Sequence, residues 1–341
     1  MSAVARNQII VGDAATRLAE LPERSVDCVV TSPPYYNLRD YEAPGQIGHE
    51  PSIHDWVDTL LAVTEQVARV IKTRGTFWLN VADSYSRHPD DGAPPKAMLL
   101  GPERLLVALD AQGWIVRSKV VWSKPHPMPD PARDRLTGAW EPLYLLTRSR
   151  HYYFDLDAIR VPHLTPRRRP RSHRGPEPRG PGRDIPRWAG PRAGDQSGLA
   201  RYKALGLPGH PFGKNPGDVW TIAQSSIRGV HHATFPQALI ERPILAGCPQ
   251  HVCPACGRAW QRPRPPAGAT TPPEPQAACT CDQPPAPGIV LDPFIGSGTT
   301  AIVAERLQRH WVGIELNPAF ASVAHSRIEA ARSLTDRHGI P

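Results

Sequence analysis

The chain is expected to fold as an open, doubly wound, mostly parallel α/β sheet. Three observations in its 341 residues predict this. Strand patterns alternate with amphipathic helix patterns, as they do when helices cover a parallel sheet. One strand, residues 26–31, is a largely apolar, β-branched run that stops abruptly at Ser32-Pro33-Pro34-Tyr35. Residues 289–316 read strand, glycine loop, helix, strand, acid, the order in which an α/β crossover builds a cleft at its strand ends.

The elements follow in order. Residues 7–11 are a strand and 14–21 an amphipathic helix. Residues 26–31 have the composition of a central strand. Pro33 and Pro34 end it, because neither donates a ladder hydrogen bond and both fix φ. Residues 36–48 are polar and glycine-containing, a loop expected to order when substrate binds. Residues 53–72 carry Trp56, Val57, Leu60, Leu61, Val63, Val67, Val70 and Ile71 at helical spacing, with Ser52 as N-cap. Residues 75–81 are a strand, 96–111 a helix, and 114–122 and 143–147 two further strands. A helix at 237–245 follows a long interruption; the strands that complete the sheet arrive only after residue 288, at 289–292 and 311–316, with a helix through 301–308 between them. Segments 1–160 and 288–335 are thus two halves of one domain, interrupted by segments 161–216, 217–247 and 248–287.

Composition narrows the class. The formal net charge is +8 and the pI about 9.4, which suits a polyanionic partner. There is no run of eighteen apolar residues to span a membrane and no signal-peptide pattern at the start, so a cytoplasmic protein is expected. Six cysteines in such a chain argue for metal or free thiols over disulfides.

The proline-stopped strand holds a hydroxyl, backbone carbonyls and an aromatic ring at a strand's carboxyl end, where open α/β sheets bind ligands. That set suits chemistry on the exocyclic amine of a nucleobase. The amine is a poor nucleophile because its lone pair is delocalised into the ring. A hydroxyl oxygen and a carbonyl oxygen that each accept one of its N–H bonds favour a tetrahedral nitrogen with a free lone pair. Tyr35 can stack on a base that has left the duplex. In the second stretch, the glycines of Gly296-Ser297-Gly298-Thr299-Thr300 let backbone approach a ligand closely. Glu315, about twenty residues on, stands where an acid can bind ribose hydroxyls.

Together these motifs resemble the DNA amino-methyltransferases that use S-adenosylmethionine, in the permuted β class whose catalytic motif precedes its cofactor motif. The resemblance covers most of the chain and implies a Rossmann-like methyltransferase fold. It implies that Ser32, Pro33, Pro34 and Tyr35 are the catalytic motif and that Asp292, Phe294, Gly296, Ser297, Gly298, Thr299 and Thr300 hold the cofactor, with Glu315 on its ribose. Gly12-Asp13 looks like the strand end at the cofactor's adenine. Ala233-Thr234-Phe235-Pro236 looks like the segment that closes over its methionine part. Residues 121–129, with Lys124, and 141–147 resemble the target-base side of the sheet. Ser-Pro-Pro-Tyr leans toward cytosine N4, with adenine N6 as the alternative, and double-stranded DNA is the implied partner. A cognate restriction endonuclease is a further partner that the resemblance allows but does not require.

The insertions have their own signals. Segment 161–216 is dense in Pro, Gly and Arg and offers little for a packed core. Arg167, Arg168, Arg169 and Arg171 can neutralise phosphates, and the family places target recognition between these same motifs; Arg187-Trp188 and Arg201-Tyr202-Lys203 extend that stretch. A solvated linker is the plainer alternative. Within 248–287, Cys253-x-x-Cys256 and Cys279-x-Cys281 are two close pairs fitting one tetrahedral structural zinc, with Cys248 and His251 as spare ligands nearby. Cys28 reads as a buried small hydrophobe. His231-His232 reads as loop, since adjacent side chains of an extended chain point apart. The competing class, a non-catalytic zinc-containing DNA-binding module on a retired sheet, would bind no S-adenosylmethionine.

Overall fold

The computed structural model describes residues 6–163, 209–225, 235–265, 269 and 271–338. They fall in two units, one of residues 1–155, 217–261 and 275–341, the other of residues 156–216 and 262–274.

The first unit is built on an eight-stranded sheet in the order β1-β8-β7-β2-β3-β5-β4-β6. Its strands are β1 (Gln8–Val11), β2 (Val26–Thr31), β3 (Ile71–Asn80), β4 (Ile115–Ser123), β5 (Trp140–Thr147), β6 (Val219–Thr221), β7 (Ile289–Asp292) and β8 (His310–Glu315). Its helices are α1 (Ala14–Glu20), α2 (Ile53–Val70), α3 (Gly101–Ala111), α4 (Gln237–Gly247), α5 (Thr299–Arg306) and α6 (Pro318–His338). Every pairing is parallel except those of β5 with β3 and β4. The exception has a local cause: no helix lies between β4 and β5, and a connection without a crossover returns the chain antiparallel.

Alternate residues of the central strands feed two cores. Val29, Phe77, Leu79, Leu146, Leu291, Val312 and Ile314 pack on one face, with residues of α1, α2 and α3. Cys28, Val30, Trp78, Leu145, Val290 and Trp311 pack on the other, with residues of α4, α5 and α6. This is the doubly wound architecture read from the sequence. The β7–α5–β8 crossover winds one way from the centre and β2–α2–β3 the other, so the strand order reverses between β7 and β2. Cys28 pairs with Val290 there, and the ligand crevice of an open α/β sheet opens beside such a point.

Several boundaries differ for identifiable reasons. Helix α3 begins at Gly101, five residues later than expected, because Pro102 supplies a first helical turn. The cap is remote: the Asp83 carboxylate accepts from the N–H groups of Leu100 and Gly101 at 2.9 and 3.0 Å. Strand β3 starts at Ile71, directly after α2, through polar residues that carry no strand pattern. The three-residue β6 pairs with β4 and has no counterpart among the expected strands; Val-Trp-Thr is too short to show a period.

The second unit, where described, is held by a bridge between Val161 and Lys214 and an Arg160–Asp157 ion pair at 2.5 Å. Its other segment carries a hydrogen bond from Arg262 to the Pro273 carbonyl at 2.7 Å. No helix among the described residues is long and apolar enough to cross a membrane.

Candidate active site

The carboxyl ends of β1, β8, β7 and β2 line up, and a cleft of about 930 Å³, counted out to its open mouth, lies across them. Glu315 stands at its polar end. The Glu315 carboxylate accepts from the N–H of Gly296 at 2.9 Å and of Asn317 at 3.0 Å. Burial raises its pKa, and those N–H groups oppose the rise. Gly296 has φ +51, and an added Cβ would meet only the Phe294 carbonyl oxygen, at an ordinary contact distance of 3.8 Å, so backbone alone forms that edge. Phe294, Ile314, Leu316 and Phe320 supply apolar walls, and Ser32 and Pro34 reach the same cleft from β2.

Asp292 is a brace behind this wall. Its carboxylate accepts from the hydroxyls of Thr31 and Thr300, both at 2.6 Å, and from the N–H of Phe294 at 3.0 Å. One side chain therefore ties the strand carrying Ser32 to the glycine loop and to α5. Burial pushes it up to about 6, and the three donors hold it back from rising further. Thr299 and Thr300 are likewise buried. Gly298, at φ +80, points an added Cβ at Ala324 and Ile328, both 3.2 Å away, so its small size serves the packing of α6. Asp13 caps α1, accepting from the N–H and hydroxyl of Thr16 at 2.8 Å each; it borders the cleft with that carboxylate already engaged. Phe235 packs against the core face that holds Trp78 and Trp122 and does not line the cleft.

The loop after Tyr36 contributes residues that no sequence pattern singles out. Tyr41, Ala43, Gly45, Gln46 and Ile47 line the cleft. The loop is fastened by Asn317 Nδ2, which donates to the Tyr41 carbonyl at 3.1 Å, and by the Tyr41 N–H, which donates to Gln46 Oε1 at 2.7 Å.

Around Tyr35 the side chains form a polar cluster. Its hydroxyl lies 3.0 Å from Ser32 Oγ, donates to Glu141 Oε2 at 3.0 Å and lies 3.3 Å from Asn80 Oδ1. Burial first, then the Glu141 charge, holds the phenol well above its ordinary value, so it keeps its proton. Lys124 pairs with Glu141 and lies over the Trp122 ring at 4.8 Å. Only 12% of the Lys124 side chain is exposed, and it faces this cluster. The Pro34 carbonyl accepts from Trp56 Nε1 at 3.0 Å.

Away from the cleft, the sulfurs of Cys253, Cys256, Cys279 and Cys281 all lie within 4.8 Å of one another. The first pair sits on a tight turn, with the Gly257 N–H donating to the Cys253 carbonyl at 2.8 Å and Gly257 at φ +69. Backbone bonds between Gln261 and Gln276 bring the second pair alongside. Cys248 is buried in the core and His251 packs on Trp260, so neither joins the cluster. Cys28 is buried as expected, its thiol pushed up to about 12 by that burial. Arg167, Arg168, Arg169 and Arg171, the pairs around Arg187 and Tyr202, Ala233-Thr234 and His231-His232 lie outside the described residues.

Comparison with known proteins agrees with this geometry. A family model described as DNA methylase matches residues 26–326. The Type II methyltransferase M.SmaI of Serratia marcescens is 33% identical, over 94% of this chain and 90% of its own length. Among solved structures, the PvuII DNA methyltransferase, described as cytosine-N4-specific, aligns with a TM-score of 0.58 at 18% identity, covering 98% of this chain and 93% of its own. A Thermus thermophilus protein, described as a putative DNA modification methylase and solved with S-adenosyl-L-methionine, aligns with a TM-score of 0.51 at 22% identity, covering 95% of each chain. At those identities the two structures speak for the fold, while the family match spans both the proline-stopped strand and the glycine loop. This chain belongs to the DNA methylases that modify the exocyclic amines of bases.

Proposed function

We propose that the protein transfers a methyl group from S-adenosylmethionine to cytosine N4 in double-stranded DNA, through the residues of this one cleft. The observation that carries the proposal is that Ser32 opens into the same cleft as Glu315 and the Gly296 turn. The cleft fits the cofactor: apolar walls stand beside a buried carboxylate whose geometry is fixed by two backbone N–H groups, and Gly296 leaves room for close approach. The bound cofactor would supply an electrophilic methyl on a sulfonium. Glu315 would accept from the ribose hydroxyls, and Phe294 and its apolar neighbours would hold the adenine. Asp292, Thr299, Thr300 and Gly298 would act one layer back, by holding the loop in place.

At the other end, Ser32 Oγ would accept one N–H of the amine. A carbonyl of the Pro33-Pro34 segment would accept the second N–H; that of Pro34 also accepts from Trp56 Nε1 at 3.0 Å, which fixes its orientation. Tyr35 would stack on the flipped base. Positioning supplies most of the acceleration in a direct displacement of this kind. Cytosine is favoured because Ser32 is a weaker proton acceptor than the Asp of many adenine-specific relatives. The same fold also carries a cytosine-N4-specific enzyme. Mapping modified bases in DNA from an expressing host tests the assignment. N4-methylcytosine at one short sequence is expected; N6-methyladenine would overturn the base, and no methylation would overturn the transfer.

Two further parts complete the proposal. Segment 161–216 would contact DNA, with Arg167, Arg168, Arg169 and Arg171 on phosphates. Replacing Arg167, Arg168 and Arg169 with alanine should weaken binding to all sequences alike. It should also flatten the slope of log affinity against log salt by up to about 0.9 per lost contact. A titration at several salt concentrations checks it; an unchanged slope removes these arginines from the interface. Cys253, Cys256, Cys279 and Cys281 would hold one structural zinc, which four thiolates leave with no open coordination site. Elemental analysis should find about one zinc per chain in protein purified without chelator, and Cys279→Ser should lose it. Metal loss should loosen the 248–287 insertion before the sheet, which has its own core. The relatives are type II methyltransferases, and a restriction endonuclease of the same specificity is the matching partner.

A further inference from the structure

We infer that Glu141 and Asn80, acting through Tyr35, fix Ser32 as an obligate hydrogen-bond acceptor, and that this polarity selects an exocyclic amine over an exocyclic oxygen at the flipped base. The inference rests on the proposed transfer at Ser32 and concerns what sets that residue's chemistry.

A serine hydroxyl is ambidextrous, with one proton to donate and lone pairs to accept. Left free to rotate, it would serve a base amine and a base carbonyl equally. Here its neighbours decide. The Tyr35 hydroxyl has a single proton and faces two groups that can only accept. One is the Glu141 carboxylate at 3.0 Å. The other is Asn80 Oδ1 at 3.3 Å; the Asn80 amide is oriented by Nδ2, which donates to the Pro142 carbonyl at 3.0 Å and to Glu141 Oε2 at 3.3 Å. The Tyr35 proton is therefore committed away from Ser32, and the phenol keeps that proton because burial and the Glu141 charge hold it well above its ordinary value. Toward Ser32, 3.0 Å away, the Tyr35 oxygen can then only accept. So the Ser32 proton is committed to Tyr35, and the oxygen turns lone pairs alone to the cleft. Lys124, paired with Glu141, holds the carboxylate in place.

This polarity matters twice. An accepting oxygen pulls on an amine N–H and frees the nitrogen lone pair, whereas a donor would do nothing for the nucleophile. A base with oxygen where the amine should be would set lone pair against lone pair, and sites built around a specific hydrogen bond reject the analogue that cannot make it. Glu141 and Asn80 act through Tyr35 and are positioning residues. Only Ser32 and Tyr35 would touch the base.

The test uses the full chain, tritiated S-adenosylmethionine and plasmid DNA from a host that does not methylate it. Glu141→Gln gives Tyr35 a partner that can donate as well as accept. Single-turnover transfer should fall about 10- to 100-fold, the scale of one mis-set hydrogen bond, with cofactor affinity within about twofold of wild type. In a Tyr35→Phe background the same change should add less than about twofold, because the connection to Ser32 is already cut. Once the modified position is mapped, duplexes carrying uracil there (hypoxanthine, if the base is adenine) supply a second readout. The wild type should discriminate against them in binding, and Tyr35→Phe should narrow the discrimination at least about fivefold. If Glu141→Gln does not fold, Tyr35→Phe should lower transfer in the Ser32 enzyme and nothing further in Ser32→Ala. An equal Glu141→Gln loss in both backgrounds, or unchanged discrimination, would overturn the inference while leaving the transfer assignment intact. Absence of transfer by the wild type would instead remove the reading beneath it.

Discussion

Replacing Tyr35 with alanine should lower methyl transfer by about three orders of magnitude while overall DNA affinity falls far less. Two losses combine. Removing the ring takes away a stacking surface worth roughly 1–3 kcal/mol for a base held outside the duplex. Removing the hydroxyl frees Ser32, whose oxygen lies 3.0 Å away, to turn its proton toward the amine; that should cost about another 10- to 100-fold. On the proposed reading, phosphate contacts would supply most of the affinity without Tyr35. Cofactor affinity should also hold, since Tyr35 is absent from the residues lining the cleft, whereas Ser32 and Pro34 are among them. Tyr35→Phe should recover the stacking share alone and leave the smaller deficit. Single-turnover rates at saturating DNA, set beside equilibrium binding, separate these parts. A Tyr35→Ala enzyme that keeps its rate would show that the ring does not hold the base.

The sheet and the location of the site are legible in the sequence because both depend on short-range signals. A β-branched run cut by two prolines can only be a strand that stops, and a strand–glycine–helix–strand–acid run is a single crossover unit. What escapes the sequence depends on side chains meeting across long separations. Asp292 reads as a ligand by its place in the motif, yet its carboxylate bonds Thr31, 261 residues away in the chain. Asn80 is visible only as part of a strand and Glu141 only as part of the stretch that resembles the target-base side, because their meeting with Tyr35 depends on β5 lying antiparallel beside β3. Lys124 is placed on the target-base side by resemblance, and its pairing with Glu141 across two strands has no sign in the sequence. Gly298 reads as a ligand glycine; its neighbours Ala324 and Ile328 belong to a helix whose packing no local pattern announces.

The two glycines of the cofactor turn should therefore fail in different ways. Gly298→Trp should destabilise the fold by more than about 4 kcal/mol, through two costs that add. Gly298 has φ +80, a left-handed conformation that costs an ordinary residue roughly 1–2 kcal/mol. Its Cβ would stand 3.2 Å from Ala324 Cβ and from Ile328 Cδ1, and even extra methylenes forced into a packed core cost about 1–3 kcal/mol. An indole is far larger, so α6 must move off β1 and β8, and cofactor binding should be lost with the fold around it. Gly296 has φ +51, but its Cβ would meet only the Phe294 carbonyl oxygen, at an unstrained 3.8 Å. Gly296→Trp should carry only the backbone cost, keep most of its melting temperature, and lose cofactor because the indole lies at the edge of the cleft. Thermal melts with and without S-adenosylmethionine, read beside calorimetric affinities, distinguish the two. If Gly298→Trp melts like the wild type, α6 is not packed on that turn. If Gly296→Trp binds cofactor undiminished, the cleft across the strand ends is not the cofactor site.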